Sequence, residues 1–263
     1  MKRVYDIILS LGGSCAVANQ LKCRGLRLAS YPFDWIFTKE PLSLERLSEC
    51  FRDGFVNWMK PENLVDIGVV ERNLHAAKYQ YRDTYTGFRF IHDFIEKKEK
   101  CIKQVRQKYL RRIERMYSRL RCAKRIALCF DADFKGSEVP LISIRELILE
   151  KFGADKEVDC YLVEFKAPQH EIVQNGPLTI YRFTHSKHDY IFGNQVSFEF
   201  AYMDDFSISD MFKSEERGKG NKCYLAHTAH GMKCILFKNK KKIFSLDVGI
   251  GSRKYEFLIG NSK

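Results

Sequence analysis

The chain has 263 residues, of which 45% are hydrophobic and 30% are charged. These proportions are typical of a folded globular protein and exclude a disordered chain. The length allows one large domain with a small extension. No apolar run approaches the ~20 residues that a membrane-spanning helix needs. The formal net charge is +12, and most of the excess lies between residues 96 and 125, which hold thirteen Lys or Arg and three Glu.

The N-terminus and the cysteines indicate a reducing compartment. A basic start and an apolar stretch are typical of a signal peptide, but Asp6 interrupts the stretch, so we interpret it as a buried strand. The chain has 9 cysteines, and several, such as Cys129, Cys160 and Cys234, lie in apolar runs. This pattern is typical of reduced core thiols, and no CxxC pair or zinc-finger spacing occurs. We therefore predict a cytoplasmic protein with no disulfide framework, metal ion or cofactor.

The first predicted elements are a strand, a tight turn and a helix. Residues 4–11 are mostly apolar, as in a strand buried within a parallel sheet. The segment Gly12–Ser14 predicts the turn. A helix is expected from Cys15 onwards, with Ser14 as its N-cap and Gly25 as its stop.

A second helix and one long amphipathic helix follow. Pro41 begins a predicted helix that ends near residue 52, and residues 54–87 are predicted to be loops with short elements. From Phe94 to Leu120, apolar residues recur at intervals of three and four, and no Gly or Pro interrupts them. This spacing predicts a long helix with one apolar stripe and a basic outer face.

The remaining chain alternates between strands and helices. The runs RIALCFDA, DCYLVEF and LTIYRF predict strands, and SIRELILEKFG predicts a helix between the first two. This alternation indicates an α/β fold with a mainly parallel sheet and crossover helices. The last part of the chain predicts short antiparallel strands. We therefore expect an α/β domain over residues 1–205 and a small β-rich extension over residues 206–263.

The strand–turn–helix motif places Cys15 at the start of a helix. There a thiol faces unpaired backbone N–H groups and the positive end of the helix dipole, and both favour the thiolate. The N–H groups of Gly12, Gly13 and Ser14 could also stabilise an oxyanion. On local sequence alone, a turn with a small core cysteine is the favoured interpretation. A phosphate-binding loop is not favoured, because the patterns GxGxxG and GxxxxGK[ST] are absent.

A histidine and two acids could complete a site around this cysteine. His92 stands beside Asp93 before the long helix and could act as the general base for a thiol. Asp93 could orient that histidine, or it could cap the helix, which is the favoured interpretation of this residue. Asp34 lies between aromatic residues in SYPFDWIF. It could also orient a histidine, although a structural role in a turn is favoured.

The basic helix offers a second kind of site. Arg111, Arg112 and Arg115 are candidates for binding an anionic glycan or a phosphate. A solvated helix face is the more usual meaning of such a pattern. Aromatic residues are few among these basic residues, so nucleic-acid binding is not favoured.

Two histidine pairs resemble metal-ligand spacings. His185 and His188 are three residues apart, as are His227 and His230. The surrounding sequence looks extended, and residues three apart on a strand point to opposite faces. The sequence therefore does not favour a zinc site.

Three motifs carry a resemblance to a known family. They are SLGGSC at residues 10–15, YPFDW at 31–35 and HDF at 92–94, and an arginine-rich helix follows them. In these motifs the sequence resembles a bacterial family of papain-like cysteine peptidases whose function is unknown. The resemblance covers roughly residues 4–165.

The resemblance implies a cysteine-nucleophile hydrolase or acyl-transfer enzyme. Cys15 would be the nucleophile, His92 its base, and Asp93 or Asp34 the acid that orients the histidine. Backbone N–H groups at Gly13–Cys15 would hold the oxyanion. The substrate would be a peptide, an amide or a thioester.

Two other functions remain open on the sequence. One is an enzyme that modifies a surface polysaccharide or a sugar nucleotide through Ser14 or Cys15. The other is a non-catalytic protein that binds an anion with the basic helix over residues 96–125. The second would show strong salt dependence of binding and indifference to Cys15→Ala.

Overall fold

The structure of the protein is a computed structural model that describes most of the chain. The chain divides into two compact units, Met1–Phe212 and Lys213–Lys263. The described residues of the first unit are 2–38, 42–71, 77–133, 136–186 and 198–212. In the second unit, the backbone of three strands is described, at residues 222–228, 231–238 and 241–248.

The described segments contain helices and strands in alternation. The helices are α1 (Cys15–Cys23), α2 (Leu42–Asp53), α3 (Lys98–Cys122) and α4 (Glu138–Phe152), and short 3₁₀ segments lie at Pro61–Asn63 and Phe198–Asp205. The strands of the first unit are β1 (Arg3–Tyr5), β2 (Ile7–Ser10), β3 (Ile36–Phe37), β4 (Leu64–Glu71), β5 (Ala77–Asp83), β6 (Arg89–Phe94), β7 (Arg125–Ala132), β8 (Glu157–Glu164), β9 (Glu171–Asn175), β10 (Leu178–Arg182) and β11 (Phe206–Ile208). Those of the second unit are β12 (Lys222–Thr228), β13 (Gly231–Lys238) and β14 (Lys241–Val248).

A parallel sheet forms the centre of the first unit. Its strands lie in the order β2, β7, β8, β10 and β9, and only the edge strand β9 is antiparallel to its neighbour. Every residue of β7 after Arg125 is buried. Continuous burial of this kind is expected of strands that are covered on both faces. The α/β class and the mainly parallel sheet predicted from the sequence are confirmed.

A second sheet is antiparallel and was only partly foreseen. Its strands lie in the order β3, β6, β5 and β4. Residues 54–87, predicted to be loops with short elements, contain the long strands β4 and β5, so the prediction underestimated the length of these elements. The segment is rich in Tyr, Asp and Asn, which suggested turns. Here Tyr81 of β5 packs on Phe94 of β6 with ring centroids 4.6 Å apart, and this cross-strand contact outweighs local propensity.

The long helix α3 buries its predicted apolar stripe. Val105, Tyr109, Ile113, Met116 and Leu120 are all buried. The helix begins at Lys98, later than predicted, and Lys97 occupies its N-cap position without a side-chain hydrogen bond. The predicted cap at residue 93 is therefore wrong, because that residue still belongs to strand β6.

The first predicted strand is divided at Asp6. Its carboxylate accepts hydrogen bonds from the backbone N–H groups of Lys124 and Arg125, at 2.9 and 3.0 Å, and from the hydroxyl of Ser209 at 2.6 Å. Strand β1 pairs in parallel with β11. The first compact unit therefore includes β11 and ends at Phe212. In the second unit, β12, β13 and β14 form an antiparallel sheet.

Candidate active site

The turn after β2 presents Cys15 as the first residue of α1. Ser14 is the N-cap, as predicted, and its Oγ accepts a hydrogen bond from the N–H of Ala16 at 3.0 Å. The Ser14 hydroxyl donates to Oδ2 of Asp131 at 2.9 Å, and the Ser14 N–H donates to Oδ1 at 3.1 Å. Ser14 and Asp131 are both fully buried, whereas Cys15 is half-buried. Buried hydrogen bonds to Asp131 thus fix the turn, while the cysteine remains partly accessible to solvent.

Close packing of backbone against backbone shapes the same turn. Gly13 has a φ of 87°, and a Cβ atom there would lie 2.0 Å from the carbonyl oxygen of Asp131. Only glycine fits such an approach. Gly12 has a φ of 94°, and a Cβ atom there would lie 3.2 Å from the side chain of Ile36. The two glycines therefore set how closely the turn approaches the ends of β7 and β3.

The backbone N–H groups of the turn are only partly available for an oxyanion. The N–H of Gly12 donates to Oγ of Ser10 at 3.4 Å, and that of Ser14 donates to Asp131. These bonds direct the N–H groups of Gly12 and Ser14 into the protein, which are two of the four expected oxyanion donors at residues 12–15. Gly13 is the candidate donor that the turn before the helix retains.

His92 lies on β6, next to the segment that contacts the cysteine turn. Strand β3 pairs with β6, with Ile36 opposite Phe90. Directly after β3, the N–H of Thr38 donates to the carbonyl oxygen of Gly13 at 3.2 Å. Directly before it, Trp35 packs edge-on against the ring of His92, with centroids 6.2 Å apart. The segment 35–38 therefore contacts both the turn that carries Cys15 and the strand that carries His92.

Asp34 anchors the YPFDW loop. It is 1% exposed and accepts hydrogen bonds from Nε and Nη2 of Arg27, at 2.9 and 2.7 Å, and from the N–H of Tyr31 at 2.9 Å. Burial raises the pKa of Asp34, and the charge of Arg27 opposes that rise. Arg27 also lies over the ring of Trp35, 5.2 Å from its centroid. These contacts fix the position of the tryptophan that packs on the histidine.

The carboxylate of Asp93 accepts hydrogen bonds from side chains of helix α3. One oxygen is bonded to Nζ of Lys108, and the other accepts the hydroxyl of Tyr109 at 2.8 Å. The side chain of Asp93 is 4% exposed. Burial raises the pKa of Tyr109 well above its ordinary value, and the charge of Asp93 adds to that effect. These bonds give Asp93 the role of attaching β6 to α3.

The arginines of α3 have different environments. Arg111 is exposed, whereas Arg112 lies over the ring of Tyr109 with its guanidinium carbon 5.2 Å from the centroid. Arg115 donates to the carbonyl oxygen of Ser30 at 3.0 Å. Arg119, which is 1% exposed, donates to the hydroxyl of Tyr31 at 2.8 Å. The helix is therefore not a purely solvated basic face, because one row of its cations faces the loop that precedes Asp34.

The histidines considered for a metal site are only partly described. Nε2 of His185 lies 3.0 Å from Oε1 of the buried Glu199. His188 and His230, and the side chain of His227, lie outside the described residues. The spacing of the two pairs thus remains a sequence observation.

Sequence reasoning missed Asp131. It stands near the end of β7, where the carboxyl ends of parallel strands meet, and β7 is the neighbour of β2. An acid after the buried run RIALCF was a usable signal, because an ionisable residue in such a run requires a partner. The pairing of the two strands, which identifies Ser14 as that partner, could not be read from spacing.

Comparisons with known proteins assign this sequence to a family. A family model described as "Putative papain-like cysteine peptidase (DUF1796)" matches residues 6–148, more than half of the chain. That range includes Cys15, Asp34, His92 and Asp131.

The curated relatives include a viral protein of no assigned activity. It is the "Uncharacterized protein R408" of Acanthamoeba polyphaga mimivirus, 27% identical over 156 residues, which cover 54% of this chain and 68% of the viral one. No solved structure matches. Within the described residues, no helix is both long and apolar enough to cross a membrane. By the family match, the chain belongs to the DUF1796 family.

Proposed function

We propose that the protein is a cysteine-nucleophile hydrolase or acyl-transfer enzyme that acts on a peptide, an amide or a thioester. Cys15 is the nucleophile and His92 is its general base. The observation that carries the proposal is the shared neighbour of the two residues. Segment 35–38 bonds to the turn that presents Cys15 and packs on the ring of His92.

The reaction follows from these positions. The thiol of Cys15 transfers its proton to His92, and its sulfur attacks the substrate carbonyl carbon. The N–H of Gly13 donates to the oxyanion that forms. Collapse of that intermediate breaks the bond to the amine or thiol, which takes the proton from the imidazolium. Water, or an acceptor amine, then attacks the thioester and regenerates the thiol.

Cys15 and His92 act as a dyad in this mechanism, and the two acids position the histidine. Asp34 holds the loop that carries Trp35, and Asp93 attaches β6 to α3. Both therefore act on His92 through the backbone and through packing. A polar group in a strand or loop is more precisely oriented when its neighbours are fixed in this way.

A nucleophilic role for Ser14 is not supported. Its side chain is fully buried, and its oxygen both donates to Asp131 and accepts from Ala16. Those bonds complete the helix cap and leave no hydroxyl proton for a base in a substrate site. Modification of a polysaccharide through Ser14 is thus less consistent with the geometry than chemistry at Cys15.

We also propose a reducing, cytoplasmic setting. The described cysteines carry thiols, and Cys50, Cys129 and Cys160 are buried in the core. Burial raises the pKa of the Cys160 thiol to about 12 and that of the other two further still. Those three thiols are therefore poor nucleophiles and should not compete with Cys15 for a reagent.

The test is to trap the acyl-enzyme. The full chain is mixed with a panel of peptide thioesters and quenched in acid, and the acylated residue is located by peptide mass spectrometry. We expect the acyl group on Cys15, with loss of the adduct in Cys15→Ala. The matched control is Cys23→Ala, because Cys23 is half-buried at the other end of the same helix. An adduct distributed equally over both cysteines would contradict the proposal.

A further inference from the structure

A cavity of about 340 Å³ lies at the carboxyl ends of strands β7, β8 and β10. This is the edge of a parallel sheet where ligands bind in open α/β folds. The cavity is separate from the cysteine turn, which follows β2. Its charged lining residues are Asp133, Glu138, Glu164, Lys166, Glu171 and Arg182.

The charges of this lining do not balance. Arg182 donates through Nε to Glu164 at 2.7 Å, through one terminal nitrogen to Glu171 at 2.7 Å, and through the other to Glu138 at 3.0 Å. One guanidinium thus offsets one of three carboxylates. Lys166 lies 3.8 Å from Asp133 and can offset that fourth acid. The described lining therefore carries an excess of two negative charges.

Buried acceptors add a second, independent signal. Glu164 is 4% exposed, and its Oε1 has no hydrogen-bond partner within the described part of the chain. The same holds for Oδ1 of Asp133. Buried polar atoms without a partner are rare and costly, and they call for an explanation. A ligand that donates several hydrogen bonds would supply one.

The wall beside the cavity has a fixed and strained backbone. Lys166 has a φ of 58°, in the left-handed region that a lysine seldom adopts. Its N–H donates to the carbonyl oxygen of His185 at 3.0 Å, and the next N–H, of Ala167, donates to that of Phe183 at 2.9 Å. Strain that surrounding bonds hold in place is typical of binding sites.

We propose that this cavity binds a small organic cation with a primary ammonium group. An ammonium supplies three N–H donors and one positive charge, which match the orphaned acceptors and the excess of carboxylates. A bare metal ion fits less well, because no described cluster of three His, Cys, Asp or Glu side chains could hold one. This binding does not depend on the chemistry proposed for Cys15.

The test is isothermal titration calorimetry on the full chain with 1,4-diaminobutane. The matched ligand is 1,4-butanediol, which has the same chain with hydroxyls in place of ammonium groups. We expect saturable binding of the diamine, weakened by added salt, and none of the diol. Glu164→Gln should weaken binding about tenfold or more, because it removes a charged acceptor.

The control is Glu150→Gln, an exposed residue of α4 that does not line this cavity. It should bind the diamine like the wild type, and so should Cys15→Ala. If Glu164→Gln does not fold, Glu171→Gln replaces it, since that side chain is 32% exposed. Absence of saturable binding, equal binding of the diol, or wild-type affinity in these cavity variants would overturn the proposal.

Discussion

The two halves of the candidate site are built by different means. At the cysteine turn, the buried Asp131 accepts the N–H and hydroxyl of Ser14, and a glycine packs directly on its carbonyl oxygen. Around His92, the buried Asp34 and Asp93 are each paired with a cation. The turn thus depends on the close fit of its backbone, and the histidine side depends on ion pairs.

This difference determines which changes each half tolerates. Added volume should damage the turn, because its atoms have no room to move. Removal of a charge should damage the histidine side, because the remaining partner is left buried. Paired variants can test this division, starting with the largest expected effect.

Gly13→Ala should destabilise the protein most. The added Cβ would lie 2.0 Å from the Asp131 carbonyl oxygen. We therefore expect the free energy of unfolding to fall by about 3 kcal/mol or more. Gly25→Ala is the matched control, because Gly25 also has a positive φ but no atom lies within 4 Å of its added Cβ. That variant should lose only about 1 kcal/mol. Urea unfolding gives both values, and equal losses would contradict a turn held by close packing.

Asp34→Ala should have the second largest effect and lower the free energy of unfolding by about 3 kcal/mol. It leaves Arg27, whose side chain is 13% exposed, without its partner. Asp93→Ala should lower the free energy of unfolding by less, about 2 kcal/mol, because it leaves the buried hydroxyl of Tyr109 without its acceptor. The Lys108 side chain is 34% exposed and can reach water. Chemical denaturation of the two variants compares them directly. A larger loss of stability in Asp93→Ala than in Asp34→Ala would show that Asp93 contributes more to the histidine side than Asp34.

Asp6 offers a pH-dependent comparison outside both halves. Burial alone would raise its pKa, but bonds from Ser209 and from the backbone of Arg125 and Lys124 outweigh burial and lower it. A lowered folded-state pKa stabilises the fold above the ordinary value of about 4. This contribution is lost as pH falls through the folded-state pKa.

The variant for this test is Asp6→Asn. It should cost about 2 kcal/mol at pH 6, and the difference from wild type should shrink as the pH falls below about 4. Urea unfolding at a series of pH values measures it. A difference that stays constant down to pH 2.5 would show that shape, and not charge, gives Asp6 its effect.

The smallest expected effects separate the two sides of α3. Arg115→Ala removes a hydrogen bond to the Ser30 carbonyl and should cost about 1 kcal/mol. Arg111→Ala changes an exposed residue and should stay within about 0.5 kcal/mol of wild type. Thermal unfolding resolves the difference. Similar losses of stability in both variants would indicate that Arg115 is as solvated as Arg111, which would contradict the difference between the two sides of the helix.

Local sequence predicted those parts of the fold that depend on local chemistry. The Ser14 cap, the apolar stripe of α3 and the parallel strands around β7 all follow from short-range patterns. The length of the strands over residues 64–83 was underestimated, because their stability comes from cross-strand contacts between residues distant in sequence. Long-range pairing also decides the partners of Asp93 and Asp131. The sequence therefore indicated Asp93 without its role, and it did not indicate Asp131.

The most direct test of Cys15 as an activated nucleophile paired with His92 is the pH dependence of its alkylation by iodoacetamide. Peptide mass spectrometry compares Cys15 with Cys23 in wild type, in His92→Ala and in the control His170→Ala, whose histidine is exposed. We predict that Cys15 reacts selectively with a midpoint well below ~8.5, and that only His92→Ala abolishes this. If Cys15 reacts no faster than Cys23, or if His92→Ala leaves its profile unchanged, the dyad is contradicted.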